Sequence, residues 1–219
     1  MKERHLVTTI AVGEKYLRMA EITHPSIQAY ADKVGADFLT LKHLRLDTNP
    51  SWEKLQTYDL IERYDRILLI DTDMIVRRDC PDLFSLVSPD TLGAFDEGKY
   101  FDRSAQMMGA CMKYGDFLPD WCGAYYNCGL LVASRAQREL FKEPIERLDS
   151  YIEQGLLNLR IQRDGIRMDD VGLAFNHLYS MGSDRLSAYI IHYAGAVDGV
   201  VTVEQQIERD LASWKKIGL

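Results

Sequence analysis

The segment whose residue types most directly suggest chemistry is Ile70-Asp71-Thr72-Asp73-Met74. Its two carboxylates follow a continuous apolar run, Arg66 to Ile70, that reads as a central strand covered on both faces. Open α/β sheets bind ligands just beyond the carboxyl ends of such strands. If the backbone turns there, both acids reach one divalent cation. A hard cation held by one or two carboxylates and completed by phosphate oxygens is the common arrangement for phosphate substrates. His192, in Ile190-Ile191-His192-Tyr193-Ala194-Gly195, closes another apolar run and offers a neutral imidazole. Together the three form a carboxylate, carboxylate, imidazole set that suits Mn(II) somewhat better than Mg(II). Lys54 stands on the element before the acid pair and would bring one cation to a diphosphate. Asn127-Cys128-Gly129 precedes a strand with a polar amide and an unobstructed backbone.

Positioning these groups is the task of the flanking elements. Leu6 to Val12 reads as a buried first strand and Tyr16 to Val34 as a helix in which Pro25, lacking an amide donor, forces a kink or restart. Ala36 to Leu41 is a second strand. Pro50-Ser51 opens a second helix with Ser51 as N-cap, its apolar positions Trp52, Leu55, Tyr58 and Ile61 recurring at helical spacing. Strand and helix alternate up to Ile70 as in a doubly wound α/β sheet. Further on, Leu92 to Phe95, Gly129 to Ala133 and Ser187 to Tyr193 are strand candidates. A charged amphipathic helix is expected over Arg135 to Leu156, a helical stretch opening at Asp169-Asp170, and a terminal helix over Val203 to Lys216. Glu97 to Gly123 shows no clear period and reads as a long, partly mobile excursion, of the kind that is usually functional.

Composition narrows the function. The 219 residues carry 26 Lys plus Arg against 33 Asp plus Glu, a net charge of -7, so a basic stripe tracking a nucleic-acid backbone is not expected. With 47% hydrophobic and 27% charged residues the chain is of globular type, and one domain over residues 1–219 is the simplest organisation. No stretch reaches the roughly 18 apolar residues of a membrane helix. The opening apolar run is too short for a signal-peptide core, so a cytoplasmic protein is expected. Trp214-Lys215-Lys216 leaves room for a peripheral membrane contact. Cys80, Cys111, Cys122 and Cys128 lack CxxC spacing and read as free thiols.

Taken together, these residues resemble the metal-dependent GT-A glycosyltransferases, and most closely glycosyltransferase family 8, the group containing glycogenin and the bacterial lipopolysaccharide galactosyl- and glucosyltransferases. Five motifs carry the resemblance in the family's order: Val7-Thr8-Thr9 with Tyr16; Lys54-Leu55 with Tyr64 to Asp73; Asp79 to Phe84; Tyr126 to Val132; and Ile191 to Gly195. The resemblance implies a single α/β domain with a mixed, mostly parallel central sheet. It implies Mn(II), with Mg(II) as the substitute, bound by Asp71, Asp73 and His192. Thr72 would lie near the ribose, Thr9, Ala11 and Tyr16 would flank the base, and Lys54 would approach the diphosphate. Asn127, Gly129 and Asp170 would face the donor sugar. Two positions depart from the family: Val171 stands where a glutamine is common, and Ala196-Val197-Asp198-Gly199 lacks a lysine.

The implied reaction moves a sugar from a nucleotide-diphosphate donor, with UDP as the expected nucleotide, to the hydroxyl of a glycan, lipid-linked sugar or small-molecule acceptor. Asp96, Asp169 or Asp170 would stabilise the cationic sugar or deprotonate the acceptor. Two rivals are a haloacid-dehalogenase-like phosphatase with Asp71 as nucleophile, and a sugar-nucleotide-binding protein without turnover.

Overall fold

The computed structural model describes residues 3–46, 49–118, 120–144, 153–195 and 201–218, apart from the side chain of Ser183. Strands β1 (His5–Ile10), β2 (Asp37–Leu41), β3 (Arg66–Ile70), β5 (Leu92–Asp96), β6 (Tyr126–Ser134) and β7 (Met168–Asp170) form one sheet in the order β2-β1-β3-β6-β5-β7. Pairing is parallel for β1 with β2 and β3 and for β5 with β7; only β6 runs against its neighbours. The sheet is therefore mixed and mostly parallel. Side chains alternate across a strand. Leu6, Ile67, Leu69, Leu131 and Ala133 accordingly enter one apolar layer and Val7, Leu68, Ile70, Leu130 and Val132 the other. Each buried Leu, Ile or Val among them contributes about 1.5–3 kcal/mol.

Helix α1 (Glu14–Val34) runs unbroken through Pro25, in place of the expected kink or restart. One lost amide bond is tolerated because the apolar face on both sides of it, Met19, Ile27 and Tyr30, is packed into the core. The helix stops at Gly35, whose φ of 67° gives the left-handed turn that glycine adopts without a Cβ penalty. The second helix proves to be a 3-10 segment, Pro50–Gln56, continuing into the short α2 (Thr57–Leu60). Its cap is Asn49 rather than Ser51: the Asn49 side chain accepts from the Ser51 amide at 3.0 Å.

Several elements were not legible in the pattern. A second sheet of three short strands, β4 (Met74–Val76), β8 (His177–Leu178) and β9 (Ile190–His192), lies in the order β4-β9-β8. The expected strand from Ser187 shrinks to β9, because Ser183–Ser187 forms a 3-10 turn. Short helix α3 (Leu83–Leu86) starts at Asp82, and the 97–123 excursion contains helix α4 (Ser104–Tyr114). The long helix expected over Arg135 to Leu156 is instead a 3-10 segment, Arg135–Phe141, and a separate helix α5 (Glu153–Arg163); residues 145–152 of that expectation lie outside the described residues. Asp169 and Asp170 sit on β7, not at the start of a helix, because Leu92, Gly93 and Ala94 pair with Met168, Asp169 and Asp170.

Helix α6 (Val203–Lys216) closes the fold on the small sheet, with Ile207 and Trp214 packed against Ile75, Ile191 and Tyr193. Trp214 is buried and its indole donates to the Leu186 carbonyl at 2.9 Å, which removes it from any role as a membrane anchor. Beneath α6, buried Asp210 accepts two bonds from Arg185, one from the Tyr193 hydroxyl and one from Gln206, at 2.7–3.0 Å. Asp210→Asn preserves the shape but weakens these charge-assisted bonds, and a loss of about 2 kcal/mol in urea unfolding is expected. An unchanged midpoint would show that the cluster is not holding α6. Among the described residues, no helix is long and apolar enough to cross a membrane.

Candidate functional site

The acid pair follows the carboxyl end of β3, at the sheet edge where the turn into β4 exposes Asp71 and Asp73 to a shared space. Two backbone bonds fix that turn: the Asp71 amide donates to the Gly129 carbonyl at 2.7 Å, and the Tyr193 amide to the Asp73 carbonyl at 2.9 Å. Antiparallel pairing of β4 with β9 places Met74 opposite His192. A residue 119 positions after Asp73 is thereby set beside the acids. His192 Nε2 lies 3.4 Å from Asp73 Oδ1 and 3.9 Å from Asp71 Oδ2. One ligand atom from each of the three residues falls within 4.8 Å of the others. Two anionic oxygens and an imidazole nitrogen converging in this way fit a divalent cation of the Mn(II) or Mg(II) kind.

Lys54 reaches the same acids from the 3-10 segment. Its Nζ is 3.1 Å from Asp71 Oδ1 and 3.4 Å from Glu153 Oε1, the latter at the start of α5. Burial alone would lower the Lys54 pKa, but the carboxylates of Asp71 and Glu153 outweigh it and raise the value, so the ammonium stays charged. Burial pushes Glu153 up to about 7 against the pull of Lys54.

A cavity of about 140 Å³ opens beside the acids, lined by Ile10, Tyr16, Asn49, Pro50, Ser51, Lys54 and Asp71 to Asp73. Tyr16 and Lys54 border it directly. Thr9 and Ala11 flank Ile10 but are fully buried, and the Thr9 hydroxyl is bonded to Thr72 Oγ1 at 2.9 Å. Thr72 in turn donates to the Ile10 carbonyl at 2.6 Å, tying the acid turn to the end of β1.

Gly129, on β6 beneath the site, must be small for His192. A Cβ added there would come within 2.4 Å of His192 Cε1 and 2.8 Å of Met74 Cε. Gly129→Ala is therefore expected to cost about 1–3 kcal/mol through overpacking and to displace the imidazole, raising the Mn(II) dissociation constant at least tenfold by isothermal titration. Equal affinity in the variant would mean that the ring has room the structure does not show.

The remaining candidates divide. Asp96, at the carboxyl end of β5, uses Oδ1 to accept from the amides of Gly98 and Tyr125, both at 3.1 Å. Asp170 accepts from Lys99 Nζ at 2.6 Å and from the amides of Gly172 and Asp96. Burial acts to raise its pKa, but Lys99 and these amides bring it below the usual carboxylate range. Asp169 is not brought to this edge: its carboxylate accepts from Ser88 and Thr91 in the turn that leads into β5. Val171, partly buried, packs against the second apolar layer. Asn127 is wholly engaged within the protein on its oxygen side, accepting from the Gly129 amide and from Asn176. Sequence reasoning missed Glu97, Glu153, Gln154 and Asn176. Glu153 and Gln154 fell inside what read as one amphipathic helix, and Asn176 had no spacing to mark it.

No family model and no curated protein matches the chain by sequence. Solved structures do match. A glycosyltransferase involved in the glycosylation of the major capsid of PBCV-1 is 13% identical, with a TM-score of 0.63 over 94% of this chain and 99% of that one. The galactosyltransferase LgtC, in complex with donor and acceptor sugar analogs, is 16% identical, with a TM-score of 0.58 over 95% of both chains. The bifunctional glycosyltransferase WbbM in its apo form gives 0.65 at 15% identity, this chain spanning 97% of itself and half of that protein. The chain thus has the GT-A fold of these glycosyltransferases.

Proposed function

We propose that residues 1–219 form one glycosyltransferase domain that moves a sugar from a UDP-linked donor to an acceptor hydroxyl with the help of Mn(II). The observation that carries this reading is the meeting of Asp71, Asp73 and His192 at the cavity mouth of a GT-A fold. Asp71, Asp73 and His192 Nε2 would hold the cation, which when bound supplies Lewis acidity to the diphosphate oxygens. Tyr16, which lines the cavity, would stack on the base. Lys54, buried and charged, would meet the negative charge that grows on the diphosphate as the anomeric C–O bond breaks. Positive charge grows on the sugar at the same time, and Asp170 at the neighbouring edge would face it. The base that takes the acceptor proton would come from Asp170 or from Oδ2 of Asp96, whose Oδ1 holds the loop after β5.

The phosphatase reading is weaker on the topology. Its nucleophile belongs after the first strand of the core, whereas Asp71 follows the third strand and is already paired with Lys54. Binding without turnover keeps some support from Val171, a partly buried apolar side chain packed against the second layer where the resembling family carries glutamine.

A thermal-shift panel of nucleotides and nucleotide sugars with Mn(II) tests the assignment. At a hundredfold excess over the dissociation constant a ligand adds about 2.7 kcal/mol, a rise of about 5 °C or more for a chain of this size. UDP and one or more UDP-sugars should give that rise with Mn(II) and lose it with a chelator. UDP release that increases with an acceptor would separate transfer from binding alone. No shift with any uridine nucleotide would overturn the donor assignment.

A further inference from the structure

Behind His192 lies a chain of buried polar side chains that the proposed reaction does not use. His192 Nδ1 is 3.0 Å from Asn176 Oδ1; Asn176 Nδ2 donates to Asn127 Oδ1 at 3.0 Å; and Asn127 Nδ2 donates to Glu97 Oε2 at 2.9 Å. Asn176 is fully buried, and Asn127, Glu97 and His192 are nearly so. Glu97 Oε1 is held in turn by Gln154 Nε2 and by the Arg103 guanidinium, both at 2.9 Å.

Amide side chains can be reversed without changing their shape, so the direction of such a chain needs an anchor. Here both ends are anchored. The Gly129 backbone N–H, which can only donate, points at Asn127 from 3.0 Å, so the atom that receives it is the amide oxygen. The Glu97 carboxylate faces the other side of the same amide and demands a donor there. Asn176 must then present its NH2 to the Asn127 oxygen and its own oxygen to His192. An oxygen at Nδ1 requires a hydrogen on Nδ1. Each neutral imidazole carries one N–H, so Nε2 is left bare.

We propose that Asn176, oriented through Asn127 by Glu97 and the Gly129 amide, is a positioning residue that fixes His192 as the Nδ1-protonated tautomer and aims its Nε2 lone pair at Asp71 and Asp73. The inference rests on the metal-site reading above. It also couples the segment after β5 to the ligand, because Glu97 and Arg103 are held in that segment while the imidazole stands on β9. Partners of this kind typically change metal affinity by 10–100-fold.

The test uses the full chain and begins without metal. Long-range 1H–15N correlation of the His192 ring, in mildly alkaline buffer, should show the pattern of a ring protonated on Nδ1 and bare on Nε2. In Asn176→Ala the pattern should move to a mixture of tautomers, and the dissociation constant for Mn(II) alone should rise 10–100-fold by isothermal titration. A wild-type ring protonated on Nε2 would overturn the inference, even if the variant fails to fold. So would a folded Asn176→Ala with unchanged tautomer and Mn(II) affinity. Failure of the metal reading would show separately, as a wild-type protein that binds no Mn(II) while its ring pattern still decides the relay.

Discussion

Asp73→Asn is expected to lower Mn(II)-dependent turnover of a UDP-sugar by about a thousandfold, with the unfolding midpoint nearly unchanged. The substitution keeps the side-chain volume but removes the anionic oxygen that stands 3.4 Å from His192 Nε2. On the proposed reading it would leave the cation one charged ligand short. Stabilisation of the leaving diphosphate by a bound metal amounts to several kcal/mol, and about 4 kcal/mol corresponds to three orders of magnitude in rate. The measurement is UDP release at saturating Mn(II), wild type against variant. Equal turnover would remove Asp73 from the mechanism.

The second large effect concerns stability. Lys54→Met takes the cation from between two acids, one of which, Glu153, is buried at the head of α5. Removing one member of a buried ion pair typically costs about 3–5 kcal/mol, because the other is stranded. That loss is expected in urea unfolding of the metal-free protein. Lys54→Met combined with Glu153→Gln should recover most of it, since the buried carboxyl is gone and Asp71 keeps access to solvent; a double variant as unstable as the single one would show that packing of the lysine stem is the cause.

The same pair gives the stability a pH dependence of defined sign. In the folded chain burial, opposed by Lys54, raises Glu153 to about 7 from its ordinary 4.5. A carboxyl raised on folding binds its proton more tightly in the native state. Its contribution is thus fully present below about pH 4.5 and is lost as the pH rises through about 7. Over that window Glu153→Gln should flatten the fall in unfolding free energy by about 3 kcal/mol, on the scale of 1.4 kcal/mol per unit. Parallel curves for wild type and variant would overturn the assignment.

Much of the larger sheet could be read directly. Residues 67–70 of β3 are continuously apolar because both faces of the strand are covered, and the parallel neighbours β1 and β2 carry the alternation of strands with a core on either side. The short strands were opaque for the opposite reason. Met74–Val76 and His177–Leu178 span three and two residues, too few for a period to show, and they exist only because β9 pairs with both. Asp169 and Asp170 looked like a helix start because acids favour that position; parallel pairing with β5 made them a strand.

The amino-acid order alone determined which groups could hold a cation, since two carboxylates after an apolar strand and an imidazole at the end of another carry their chemistry wherever they stand. What only the tertiary structure decided was their meeting, through a strand pair joining Met74 to His192, and the choice of which ring nitrogen faces the acids. It also decided that Glu153 and Lys54 form a buried pair and that Asp169 serves a turn at another place in the sheet. Local sequence specifies side chains and their periodicity; contacts between residues a hundred positions apart depend on how the strands are ordered, and no window along the chain contains that information.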